Sequence, residues 1–160
     1  MQVRLAEAGE RSVAVELLVR QWGDPIVVRS QVYLIGACDL FIAGDFAGLA
    51  AVSGRDRPIA ELVAITAFTR LQGIGTAMLR SIVDKLERFE LLRLATTNDN
   101  LDALRFYQRR GFRLQALRPG AVDAARAQKP TISAVGEHGI PIRDELDLTL
   151  DLRTFAGPLR

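Results

Sequence analysis

Cysteine and histidine are nearly absent from this 160-residue chain, which has one of each, Cys38 and His138. A single thiol excludes an internal disulfide framework and every multi-thiolate zinc or iron–sulfur site. A single imidazole excludes multi-histidine metal centres, so no metal is expected. Any histidine base would have to be His138, and any thiol nucleophile Cys38. Lysine is equally scarce, with Lys85 and Lys129 the only two. Arginine carries nearly all the positive charge, and 21 basic residues against 19 acidic ones leave a net charge of only +2. That balance argues against a general nucleic-acid binder. No run of 18 apolar residues exists, so no membrane span is expected. The first ten residues lack the apolar core of a secretory leader, which makes the cytoplasm the expected location. No internal repeat or low-complexity tract is present.

What is present is ordinary globular material. Hydrophobic residues make up 49% and charged residues 25%, and the length suits one domain over residues 1–160 with a real core. Residues 3–5 read as a short strand and 10–22 as a helix, with Val13, Leu17, Leu18 and Trp22 on one stripe and Gly23 as its stop. Residues 26–36 are ambiguous, extended in places. Residues 39–42 and 46–52 read as a hairpin joined by a tight primed turn at Gly44-Asp45. Residues 59–66 form a nearly continuous apolar strand, hence a central one. Residues 75–89 carry the best helical stripe, through Met78, Leu79, Ile82, Val83, Leu86 and Phe89. A strand at 91–97, a helix at 98–110, a strand at 112–117, a short helix at 121–128 and a last strand at 145–152 complete the order. The fold class is therefore α/β with one mixed central sheet. The pair at 59–66 and 91–97 should be parallel, joined by a right-handed crossover.

Two junctions carry chemistry. In the first, Ile65-Thr-Ala-Phe-Thr-Arg-Leu-Gln-Gly-Ile-Gly-Thr76, a central strand runs through a glycine-bearing loop into a long helix. Gly73 and Gly75 let backbone N–H groups converge, and the helix start adds free donors and a positive dipole end. Such a junction favours an anion such as a pyrophosphate. It is not a dinucleotide fingerprint, because Met78 stands at the third glycine and Leu92-Arg93-Leu94 lacks the acidic residue that motif requires. No P-loop motif occurs. In the second junction, Asn98 and Asn100 sit where a strand gives way to a helix, and Ala103, Phe106-Tyr107 and Gly111-Phe112 follow. The acidic stretch at 98–102 lacks the glycine and distal glutamate of a calcium loop. Tyr107 alone would read as a tyrosine at the edge of the core.

Together these junctions resemble the GNAT superfamily of N-acetyltransferases. The family signature [RQ]-x-x-G-x-[GA] is matched by Arg70-Leu-Gln-Gly73-Ile-Gly75. The downstream asparagine, small residue and aromatic-Tyr pair are matched by Asn98 or Asn100, Ala103 and Phe106-Tyr107. The hairpin with Gly48 is also similar. The resemblance covers residues 1–118 and the last strand.

The resemblance implies acetyl-CoA as cosubstrate, with a central strand that bulges and splays from its neighbour. The diphosphate would lie on Arg70, Leu71, Gln72, Gly73, Ile74, Gly75 and Thr76, and the pantetheine arm along Ala64, Ile65 and Thr66. Asn98, Asn100, Ala103 and Phe106 would complete the cofactor site. The reaction is attack of an amine on the thioester. A backbone N–H near Ile65 would hold the oxyanion, Tyr107 would donate a proton to the departing sulfur, and Glu61 would be the base. In a regular strand Glu61, Val63 and Ile65 share one face; a solvent-facing Glu61 and a purely capping Asn100 are the simpler alternatives. A non-catalytic acyl-CoA-binding or regulatory module is the competing function. Residues 119–143 form an excursion longer than the family core needs, expected to border the acceptor pocket and to be a candidate surface for a homodimer. His138 within it reads as a solvent-facing loop residue, Cys38 as a small buried one, and Arg109 and Arg110 as a solvated helix end.

Overall fold

Alternating strand and helix patterns become thirteen regular elements in the computed structural model, which describes residues 1–69, 73–155, 157 and 159. They are β1 (Val3–Leu5), α1 (Arg11–Trp22), β2 (Ile26–Val28), β3 (Gln31–Tyr33), β4 (Asp39–Ala43), β5 (Gly48–Ser53), β6 (Ile59–Ala67), α2 (Ile74–Lys85), β7 (Leu91–Thr97), α3 (Leu101–Gln108), β8 (Arg113–Arg118), α4 (Ala121–Gln128) and β9 (Glu145–Asp151). Seven strands form one sheet in the order β1-β4-β5-β6-β7-β9-β8, and β2 pairs with β3 as a separate hairpin. Only β6 and β7 pair in parallel; every other neighbour is antiparallel.

The sheet has a core on each face. On one, α2 and α3 bury Met78, Leu79, Ile82 and Tyr107 against Ala60, Leu62, Leu148 and Leu150. On the other, Ala14 and Leu18 of α1 pack on Leu40, Ile42, Leu49 and Ala64. β6 feeds both, which is why its sequence is apolar almost without interruption.

Two expectations are corrected. The β4–β5 connection is not a two-residue primed turn: Ala43 faces Gly48, leaving four residues between them, with Gly44 and Phe46 both in the left-handed region. The connection is closed by a hydrogen bond from Ala47 N to Ala43 O at 2.9 Å. The long helix expected to Phe89 stops at Lys85. Leu86 still turns inward, but the chain must reverse there, and Glu90 N donates to Pro58 O at 2.9 Å to start the next strand.

The register of β6 is the feature that matters most. Ala51 faces Ala64, whereas Val52 faces Leu62, so Val63 is an extra residue in β6. A bulge of this kind bends the strand and resets which side chains point to which face. Leu62 packs in the α2 core and Ala64 in the α1 core, although two residues apart in a regular strand they would share a face. Beyond the pairs Ile59–Leu91, Ala60–Leu92 and Glu61–Arg93, β6 and β7 no longer pair. β7 meanwhile stays in register with β9 along its whole length, from Leu91–Asp151 to Thr97–Glu145. The sheet therefore opens in a wedge between the C-terminal halves of β6 and β7.

Candidate active site

The wedge is the floor of a cleft of about 360 Å³. Its walls are residues 62–65 and 67 of β6, residues 94–97 of β7, and Asn100, Ala103, Phe106 and Tyr107 around α3. Gly75 closes one end. From the opposite face come Trp22 at the end of α1, all of β2, and Glu145 at the start of β9. The cleft is thus reached from both faces of the sheet. Splaying leaves the facing main-chain edges of β6 and β7 without ladder partners, a row of donors and acceptors for an extended ligand.

At the Gly75 end lies the start of α2. Gly73 caps it in the left-handed conformation with φ 72°, and neither a side-chain cap nor an acidic first-turn residue is present. The first N–H groups, those of Ile74, Gly75 and Thr76, are the donors a helix cannot satisfy internally. Arg70, Leu71 and Gln72 of the signature lie outside the described residues. Gly75 has a steric reason to be glycine, since a Cβ there would sit 3.0 Å from Phe106 Cζ. The Arg110 guanidinium lies 3.7 Å from the Phe106 ring centroid and donates to Thr76 Oγ1 at 2.6 Å. It is therefore not a solvated helix end. Burial, with Arg109 and Arg80 nearby, lowers its pKa, so a cation is held at the positive end of α2 where an anion would relieve it.

Tyr107 sits on the other wall. Its ring meets Phe106 and Phe112 edge-on at centroid distances of 5.2 and 5.3 Å. Its hydroxyl makes no hydrogen bond among the described residues, and burial pushes its pKa well above the ordinary phenol value. It is kept in the donor form and faces the cleft. Asn100 caps α3, its Oδ1 accepting from Ala103 N at 3.1 Å, and it also lines the cleft. Asn98 does neither: its side chain holds Pro141 O, Arg143 N and Asp144 N at 2.9, 3.0 and 3.0 Å, tying the excursion to the end of β7. Ala64 and Ile65 line the cleft, while Thr66 accepts the Trp22 indole N–H at 2.8 Å.

Glu61 is neither on the surface nor in the cleft. It is 2% exposed, and the Val63 bulge places it on the α1 face, opposite Ile65. Its Oε2 accepts from Arg29 and, at 2.8 Å, from Arg93 Nε. Its Oε1 is buried with no partner among the described residues. The sequence reading of Glu61 as the base is thus displaced by geometry: the carboxylate is committed to two arginines and does not face the space a substrate would enter.

Arg29 is the residue that sequence reasoning missed. It and Ser30 form the two-residue turn between β2 and β3, both with positive φ, 51° and 61°. Turns of this kind favour Asn-Gly, so Arg-Ser gives no readable signal. The strain, about 1 kcal/mol for an L-residue, is offset by what the side chain reaches. Its guanidinium pairs with Glu61 and with Asp147 Oδ1 at 2.7 Å, and its N–H donates to Glu145 Oε1 at 3.1 Å. Arg118 then joins Asp147 and Glu145, donating to the latter at 2.5 Å. Burial opposes the charge on Arg29, but Glu61 and Asp147 outweigh it and raise its pKa. Burial likewise works against the Asp147 carboxylate, yet Arg118 and Arg29 hold its pKa below the usual range. This cluster clamps the β2–β3 hairpin onto β6 and β9.

The excursion stands beside the same mouth. Lys129 Nζ donates to Trp22 O and Pro25 O at 3.0 and 3.2 Å. His138 is exposed with φ 56°. Cys38 is buried, and burial, with Asp39 nearby, pushes its pKa up to about 11. Among the described residues no group of His, Cys, Asp and Glu could hold a metal ion, and no helix is long and apolar enough to cross a membrane.

Comparison with known proteins agrees with this architecture. The profile of the acetyltransferase (GNAT) family matches residues 8–112. The uncharacterized protein YdhI of Bacillus subtilis is 34% identical over 140 residues, spanning 82% of this chain and 86% of that one. Among solved structures, a GNAT family acetyltransferase from Elizabethkingia anophelis with acetyl-CoA bound superimposes with TM-score 0.71 at 20% identity, over 94% of this chain and 97% of that one. A Bacillus subtilis acetyltransferase in complex with CoA gives 0.68 at 21% identity, over 94% and 97%. Those two likenesses are of fold. With the profile spanning residues 8–112 and YdhI aligned over 82% of the chain, this protein belongs to the acetyltransferase (GNAT) family.

Proposed function

We propose that this protein transfers the acetyl group of acetyl-CoA to a primary amine by direct attack on the thioester. The observation that carries the reading is the open β6–β7 wedge, with Tyr107 on one wall and the uncapped start of α2 at its end. The diphosphate lies on the N–H groups of Ile74, Gly75 and Thr76, with Gly73 shaping the turn and Arg110 adding charge. Pantetheine runs along Ala64, Ile65 and Thr66 as an added strand, and Asn100, Ala103 and Phe106 form its far wall. The amine nitrogen forms a bond to the acetyl carbon, and a main-chain N–H near Ile65 holds the oxyanion. The C–S bond then breaks, and Tyr107 gives its proton to the sulfur. Overall the ammonium loses two protons, one replacing that given by Tyr107 and one passing to solvent.

The test is thiol release from acetyl-CoA across a panel of amines, with Tyr107→Phe as control. Among the described residues the hydroxyl makes no hydrogen bond, so its removal should spare the fold. A fall in kcat of about tenfold or more, within the usual range of acid–base contributions, supports the role. An unchanged kcat refutes it. Stabilisation by CoA without release for any amine replaces the enzyme with an acyl-CoA-binding module.

A further inference from the structure

Glu145 is buried to 7% exposure, and among the described residues every hydrogen bond it accepts falls on one oxygen. Arg29 N and Arg118 both bind Oε1. Oε2 accepts none among the described residues, and the residue lines the cleft. Glu145 is also the only charged side chain among the described cleft-lining residues. It lies on the α1 face of the sheet, opposite the Tyr107 wall, where Trp22 and the three residues of β2 line the cleft together with Val63 and Ala64 of β6. A carboxylate fixed through one oxygen and bare at the other, set in an apolar wall, suits a cation whose remainder is hydrophobic.

We propose that Glu145 Oε2 anchors the ammonium of the acceptor, and that the acceptor class is a primary amine with an apolar body rather than an amino acid or other anion. This rests on the acetyltransfer reading above. Arg29 and Arg118 are positioning residues here, because they fix the carboxylate without meeting the acceptor.

Binding of hexylamine, 1-hexanol and hexanoate to the full chain tests the idea, with and without coenzyme A. Calorimetry at pH 7.5 gives the affinities. Hexylamine should bind about tenfold or more tightly than the alcohol, as expected when a neutral hydrogen bond is replaced by a charge-assisted one at a largely buried carboxylate. Hexanoate should bind more weakly still. In Glu145→Gln, which keeps an acceptor oxygen for Arg118, the preference for the amine should shrink to about threefold or less. Equal binding of amine and alcohol to the unaltered protein overturns the proposal, whether or not the variant folds. So does an undiminished preference in a folded Glu145→Gln. Coenzyme A affinity is read separately, so a failure to bind it counts against the transferase reading while the ordering of the three probes still decides the role of Glu145.

Discussion

Replacing Arg29 by methionine removes one cation from a cluster in which Arg29, Arg93 and Arg118 meet Glu61, Glu145 and Asp147. Three charges of each sign become two arginines against three carboxylates, which leaves one buried negative charge uncompensated. Side-chain exposure is 13% for Arg29, 3% for Glu61 and 9% for Asp147, so water screens little of it. Removing one partner of such a pair typically costs about 3–5 kcal/mol. Arg93 and Arg118 remain to share the load, so we expect the lower end, about 3 kcal/mol. For a chain of this length that is roughly 6–12 °C in Tm. The loss must depend on pH. Asp147 has a depressed pKa in the folded protein, so its stabilisation is present above the unfolded carboxylate value, about 4. It is lost as pH falls through the folded one. In the variant a cluster carboxylate can instead take up a proton, so the gap between the two proteins should narrow as pH falls from 7.5 towards 4.5. Adding Glu61→Gln restores the charge balance and should recover part of the loss. Urea unfolding followed by far-ultraviolet circular dichroism at each pH gives the free energies, and a thermal melt followed the same way gives the Tm. A loss below about 1 kcal/mol at pH 7.5, or one that does not change with pH, would refute the claim that Arg29 is held by buried charge.

Two further substitution and labelling experiments follow from packing. Gly48→Ala places a methyl group 2.6 Å from Ile74 Cγ2, 2.7 Å from Met78 Sδ and 3.1 Å from Thr66 O. It should cost roughly 1–3 kcal/mol in chemical denaturation, since α2 must move off β5 to admit it. The buried Cys38 thiol, with its pKa pushed up to about 11, should resist a disulfide reagent at pH 8 in the native protein and react promptly in urea. Prompt native reaction would mean that the α1 core opens freely.

The fold was legible where pattern and period agree. The apolar stripe of α2 and the unbroken apolar run of β6 both declare themselves, and the parallel β6–β7 pair follows from their order. The two junctions pointed to the wedge, and Tyr107, Asn100, Ala103 and Gly75 do meet there. What was not legible has specific causes. The Val63 bulge adds a residue without altering composition, yet it sets Glu61 and Ile65 on opposite faces. Arg29-Ser30 adopts a turn that its residue types disfavour, because a long-range ion cluster holds it. Asn98 and Asn100 look alike in sequence, but one secures the excursion and the other caps α3. Glu145 looks like any polar start to an edge-facing strand, and only its burial beside Arg118 sets it apart.

The gap between β6 and β7 also has a thermodynamic consequence. It is an unfinished ladder inside the sheet, and a ligand that fills it completes the rungs of the fold itself. A donor molecule at about a hundred times its Kd would then add close to 2.7 kcal/mol to the stability of the folded chain. The fraction of this protein that survives heat or proteolysis should therefore rise and fall with the supply of its own cosubstrate, so that metabolic state would be read out in how much of the protein persists as well as in how fast it turns over.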